Sequence, residues 1–75
     1  MDPDENYPER ILEATPNGKT GAMVKVFWYG WRLEDATWER LGARTSPSIK
    51  ALAQFYAQGL PKGSLRSVIE KLCKE

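Results

Sequence analysis

At 75 residues the chain has room for one small hydrophobic core and for no second lobe beside it. Its 41% hydrophobic and 28% charged content predicts a folded module rather than a disordered tail. With no histidine and one cysteine, Cys73, the sequence lacks the parts of most zinc, haem and near-neutral acid-base chemistry, and an intramolecular disulfide is excluded. The net charge of +1 hides an uneven distribution. Five of the first thirteen residues are acidic (Asp2, Asp4, Glu5, Glu9 and Glu13) against one base, Arg10, whereas Arg40 to Lys74 hold seven bases and one acid. The apolar run from Ala22 to Tyr29 is too short to cross a bilayer, and the acidic start is unlike a signal peptide. A soluble, intracellular protein is expected, with no membrane partner.

In chain order, residues 1–8 combine acids with Pro3 and Pro8 and show no periodicity, which predicts a flexible acidic arm. Glu9 to Thr15, with Ile11 and Leu12, reads as a short strand that ends at the turn signal Pro16-Asn17-Gly18. From Ala22 to Tyr29 the residues Val24, Val26 and Trp28 alternate with Lys25, Phe27 and Tyr29, the period of a strand. Gly30 ends it, Arg32 to Asp35 form a polar loop, and Ala36 to Leu41 make a third short strand in which Trp38 is expected to be core.

Ser46-Pro47 supplies a helix N-cap with proline at the first helical position. Ile49, Leu52, Ala53 and Tyr56 follow at helical spacing until Gly59 closes that helix. After Pro61 and Gly63 a second amphipathic pattern starts at Ser64, with Leu65, Val68, Ile69, Leu72 and Cys73 on one stripe. That stripe has no further strand to cover, so it is expected to be spare and open to a partner. The predicted architecture is α+β: a curled three-stranded antiparallel sheet, a partial barrel capped by a helix, then a short C-terminal helix. Its expected divisions are an arm at 1–8, a domain at 9–60 and an amphipathic helix at 61–75.

Catalysis is not expected. Glu34 and Asp35 are adjacent carboxylates, but no histidine, cysteine pair or glycine-rich phosphate loop accompanies them, and no cofactor or metal is implied. The aromatic cluster says more: Phe27-Trp28-Tyr29-Gly30-Trp31, then Trp38, with Tyr7 on the arm. Aromatic faces attract cations, and a desolvated quaternary ammonium gains on the order of 2 kcal/mol from such a wall. Trp28 is open to either core or site. Trp31, just past Gly30 at a strand end where less sheet is available to cover it, reads equally as core or as binding wall.

These residues resemble the chromodomain family. Met23-Val24-Lys25-Val26-Phe27-Trp28-Tyr29-Gly30-Trp31, followed by Glu34-Asp35-Ala36-Thr37-Trp38-Glu39, is similar to that family's pattern. The pattern is a strand ending in tryptophan, one residue, glycine, an aromatic, and then Thr-Trp-Glu after an acidic loop. Glu9-Arg10-Ile11-Leu12 looks like its first strand and the helix through Phe55-Tyr56 like its C-terminal helix, so the resemblance spans roughly residues 7 to 58. It implies a reader of methyl-lysine histone tails in the nucleus, with Trp28 and Trp31 as cage walls, Tyr7 as the third wall and Asp35 as the acid facing the ammonium. The peptide would add as a strand along Asn6, Pro8 and Glu39. The chain departs from the pattern at three places: Asn6 occupies the usual slot of the third aromatic, with Tyr7 one place late; Pro8 replaces a residue that can donate a backbone hydrogen bond; and Arg40 replaces the proline after Thr-Trp-Glu.

A second branch is also similar. Pro8 to Thr15 and Ser46 through Leu60 look like a chromoshadow domain, which implies homodimerisation and binding of a short hydrophobic peptide in heterochromatin silencing. The stripe of Leu65, Val68, Ile69 and Leu72 would suit such association. A third expectation is nucleic acid, secondary to both, through the basic half: Arg40, Arg44, Lys50, Lys62, Arg66, Lys71 and Lys74.

Overall fold

The computed structural model describes residues 7–74. Three antiparallel strands are followed by two helices, the α+β arrangement expected from the alternation and capping signals. The strands are β1 (Pro8–Asn17), β2 (Gly21–Trp28) and β3 (Thr37–Arg40), ordered β1-β2-β3, and the helices are α1 (Pro47–Gln58) and α2 (Ser64–Cys73). Asn6 and the acids Asp2, Asp4 and Glu5 lie outside the described residues, so of the expected arm only its end is seen. There Pro8 already belongs to β1, and the Tyr29 N–H donates to the Tyr7 carbonyl at 2.8 Å.

β1 is longer than Glu9 to Thr15 because its pairing with β2 continues through Pro16↔Ala22 to Asn17↔Gly21. The turn falls at Gly18, whose φ of +75° is readily adopted only without a side chain. Two register shifts, between Pro8 and Arg10 and between Ile11 and Glu13, break the strict alternation of β1. β3 pairs from Met23↔Arg40 to Val26↔Thr37. The Leu41 N–H continues the ladder to the Ala22 carbonyl at 3.0 Å.

The alternation of β2 decides which face is buried. Ala22, Val24 and Val26 are fully enclosed and meet Ile11, Leu41, Ile49, Ala53, Ala57, Ile69 and Leu72 in one core. Alanines at 53 and 57 stand one turn apart on α1 and let that helix come close to its neighbours. α1 begins as its sequence dictates: the Ser46 Oγ accepts from the Ile49 N–H at 3.3 Å, with Pro47 in the first turn.

Two expectations are corrected here. The stripe on α2 is not spare: Ile69 is 0% exposed, Leu72 is buried, and Leu65 and Val68 pack against the core beside α1 and β2. One twelve-residue helix does not cover the inner face of three strands, and α2 closes what α1 leaves open. α2 therefore shares the core with 9–60, and the Cys73 thiol reaches back across the helix pair to donate to the Lys50 carbonyl at 3.4 Å. Trp38, expected in the core, is 43% exposed. It pairs with Lys25 across the ladder and so lies on the sheet face opposite Val24 and Val26.

Candidate functional site: two indoles at the rim of the sheet

The site is built from the end of β2 and the turn after it. Trp28 has the same parity as Val24 and Val26, so its ring lies on the core face at the end of β2, packed against the core yet only partly buried. The Trp31 N–H donates to the Trp28 carbonyl at 3.0 Å, closing a four-residue turn whose third position is Gly30 at φ +80°. A positive φ there is the demand of a type II turn and is met without strain by glycine. The turn folds Trp31 back beside Trp28: the ring centroids are 6.1 Å apart and the planes are tilted by 41°. Two partly buried indoles at that angle form an aromatic corner at the end of β2.

The Trp28 ring is held from behind. Its Nε1–H donates to the Thr37 Oγ1 at 2.7 Å, and the Thr37 hydroxyl donates to the Glu39 Oε2 at 2.9 Å. Thr37 thus uses its one proton on the carboxylate and its lone pair on the indole, which fixes the rotation of the ring about its side-chain bonds. The sequence alone assigns Thr37 no role in a site. The signal was the spacing Thr37-x-Glu39 on a strand, which puts both side chains on the same face.

The other predicted residues stand as follows. Tyr7 is 63% exposed and is tied by its backbone to Tyr29, at the same end of the sheet as the indole corner. Pro8 lies across from Trp28 on the neighbouring strand. Asp35 is exposed at the end of a single 3-10 turn, Leu33–Asp35, that replaces the expected loop and follows Trp31 closely in the chain. Arg32 pairs with Glu34 at 3.0 Å in that segment, both side chains being well exposed. Glu39 is half-buried and committed to Thr37. Ile69 and Leu72 are in the core, away from any site, and Leu65 and Val68 are packed against it.

Among the described residues no group of three or more His, Cys, Asp or Glu side chains could hold a metal ion, and no helix is long and apolar enough to cross a membrane. A second surface is apolar: a groove of about 320 Å3 between β1 and α1, lined by Ile11, Leu52, Phe55, Tyr56 and Leu60 with Arg10 at its edge. Phe55 stands 76% exposed beside it. Comparison with known protein families, with curated proteins and with solved structures finds no match to this chain.

Proposed function

We propose that the chain is a non-enzymatic chromatin module that binds a methylated lysine of a histone tail in the corner between Trp28 and Trp31. The observation that carries this reading is the pair itself: two indoles 6.1 Å apart, tilted by 41°, with one ring locked through Thr37 to Glu39. A rigid aromatic corner suits a trimethylammonium, which has no hydrogen bond to give and is weakly hydrated, better than it suits a plain ammonium. The chromodomain resemblance supports the same assignment, with Tyr7 as the third wall and Asp35 as the acid.

The peptide adds along the outer edge of β1. The Tyr7 carbonyl is spent on Tyr29, and alternation along a strand then turns the polar groups of Pro8 outward. Pro8 has a carbonyl to accept with and no N–H to give, so the peptide gains one bond fewer here than along an ordinary edge. Acids at Asp2, Asp4, Glu5 and Glu9 in the sequence draw a basic tail toward this edge, which makes association faster at low salt. A nuclear setting and a part in gene silencing belong to the same proposal.

Fluorescence titration with trimethylated and unmodified histone-tail peptides tests it. Wild-type protein is expected to prefer the trimethylated peptide, and Trp31→Ala to weaken that binding at least about tenfold while circular dichroism stays unchanged. Equal affinity for the two peptides, or unchanged affinity of the variant, removes the proposal.

One observation favours a second, chromoshadow-like reading. Phe55 projects from α1 next to an apolar groove that it does not fill, and an isologous contact would seat each Phe55 in the partner copy's groove. Pairing would then run through α1 and not through the α2 stripe, which the fold uses internally. Sedimentation equilibrium distinguishes the two: a dimer at tens of micromolar that Phe55→Glu converts to monomer supports pairing, and a wild-type monomer at that concentration ends it.

A further inference from the structure

The sheet face turned away from both helices carries an ordered arrangement that the indole corner does not use. Cross-strand pairing sets three rows on it: Arg10 beside Phe27, then Glu13, Lys25 and Trp38, then Thr15, Met23 and Arg40. The contacts follow the rows. The Arg10 guanidinium lies 5.5 Å from the Phe27 ring centre, and the Lys25 Nζ lies 6.0 Å from the Trp38 ring centre and 3.7 Å from a Glu13 carboxylate oxygen. Trp38 is 43% exposed, and no helix covers it because Ala22, Val24 and Val26 direct α1 and α2 to the other face.

We propose that this face binds single-stranded nucleic acid, with bases stacking on Phe27 and Trp38 and phosphates meeting Arg10, Lys25 and Arg40. Two features of the surface select that guest. Its charge is positive, with Arg10, Lys25 and Arg40 against Glu13 in the three rows. Its ring faces are already attended by cations, so a methylated lysine would have to compete with Arg10 and Lys25. A nucleotide brings both complements at once: a base to lie on the ring and a phosphate to receive the displaced cation. Phe27 and Trp38 sit on adjacent strands, diagonal to one another, about 7–8 Å apart by the geometry of an antiparallel pair. That spacing accommodates successive bases of an unpaired strand. A duplex offers edges and phosphates but no base faces, so it could use the cations and not the rings. Of the basic residues in which the sequence alone places nucleic-acid contacts, this surface includes Arg40 and leaves out Arg44, Lys50, Lys62, Arg66, Lys71 and Lys74.

The test is fluorescence polarisation of the full chain with labelled oligo-uridine and oligo-deoxythymidine of about twelve nucleotides, the two arms separating RNA from DNA as the source of the strand. Wild-type protein is expected to bind with log K falling against log salt at a slope of about −2, as three phosphate contacts on a single strand require. Trp38→Ala is expected to weaken binding at least about tenfold, and Lys25→Ala to reduce the slope by about 0.7. The triple variant Lys62→Ala, Lys71→Ala, Lys74→Ala is expected to leave binding unchanged. If Trp38→Ala fails to fold by circular dichroism, Arg10→Ala with Arg40→Ala carries the test, with the slope falling by about 1.4. No binding at 50 mM salt, binding indifferent to these face variants, or loss only in the triple variant overturns the proposal. Neither Trp28 nor Trp31 belongs to the three rows, so Trp31→Ala is expected to leave oligonucleotide binding intact, and the two binding proposals fail or stand separately.

Discussion

Thr37 is the residue on which the indole corner turns, since one hydroxyl links the Trp28 Nε1–H to the Glu39 carboxylate. Thr37→Val keeps the shape of the side chain and removes both bonds, leaving a partly buried N–H without its acceptor. A loss of about 1–3 kcal/mol is expected, read as a lower urea midpoint at an unchanged slope. At the other end of the molecule, burial raises the Cys73 pKa above its ordinary value, with a smaller opposing pull from Lys50. The folded thiol holds its proton more tightly than the unfolded one, so this contribution is complete below the unfolded pKa and is lost as pH rises through the folded pKa, on the alkaline side of neutrality. A thiol reagent at pH 8 is expected to modify Cys73 more slowly in the folded chain than in denaturant, because less of it is thiolate. At this scale the sequence was legible where neighbours agreed and misleading where they did not. Val24 and Val26 lie in a clean alternation that predicts the strand they form. Trp38 sits between two polar residues, Thr37 and Glu39, so size argued for burial, whereas its actual face depends on the register that sets it across from Lys25.

Among the elements, the turn Trp28-Tyr29-Gly30-Trp31 links fold to proposed function, because its positive φ at Gly30 brings the second indole back onto the first. A Cβ at Gly30 would meet no atom within 4 Å, so Gly30→Ala tests the backbone conformation without a steric clash. It is expected to cost about 1–2 kcal/mol of stability and to weaken trimethyl-lysine peptide binding, as calorimetry of the variant with that peptide would measure. At α1, Ser46→Ala removes the oxygen that accepts from Ile49 and is expected to lower stability by about 1 kcal/mol in urea. That cap and Pro47 were plain in the sequence because capping is local chemistry. The destination of the α2 stripe was not, since a 3.6-residue period defines an apolar face and says nothing of what it meets. What α2 meets is set by how much of the Ala22, Val24 and Val26 face α1 leaves uncovered, which is a property of the assembled sheet.

For the whole molecule, the small core makes every large side chain count. Ile69 is the largest fully buried one, and it belongs to the last helix. Ile69→Ala is expected to destabilise by about 2–5 kcal/mol, a large share of the 5–15 kcal/mol typical of a domain, and thermal melting would show it. A chain cut at residue 60 is expected to lose its cooperative transition for the same reason, although the sequence pattern had suggested a boundary there. The proposed functions divide the surface in a corresponding way. The indole corner lies at one rim, Phe55 and its groove lie over β1 and α1, and the aromatic and basic rows occupy the outer sheet. The three indole N–H groups, those of Trp28, Trp31 and Trp38, give separate signals in a 1H–15N correlation spectrum, so one titration reads the corner directly. With a trimethylated histone-tail peptide the Trp28 and Trp31 signals are predicted to move progressively while Trp38 stays in place, and the unmodified peptide is predicted to move none of them. Trp28 and Trp31 signals that remain still at millimolar trimethylated peptide would contradict the account.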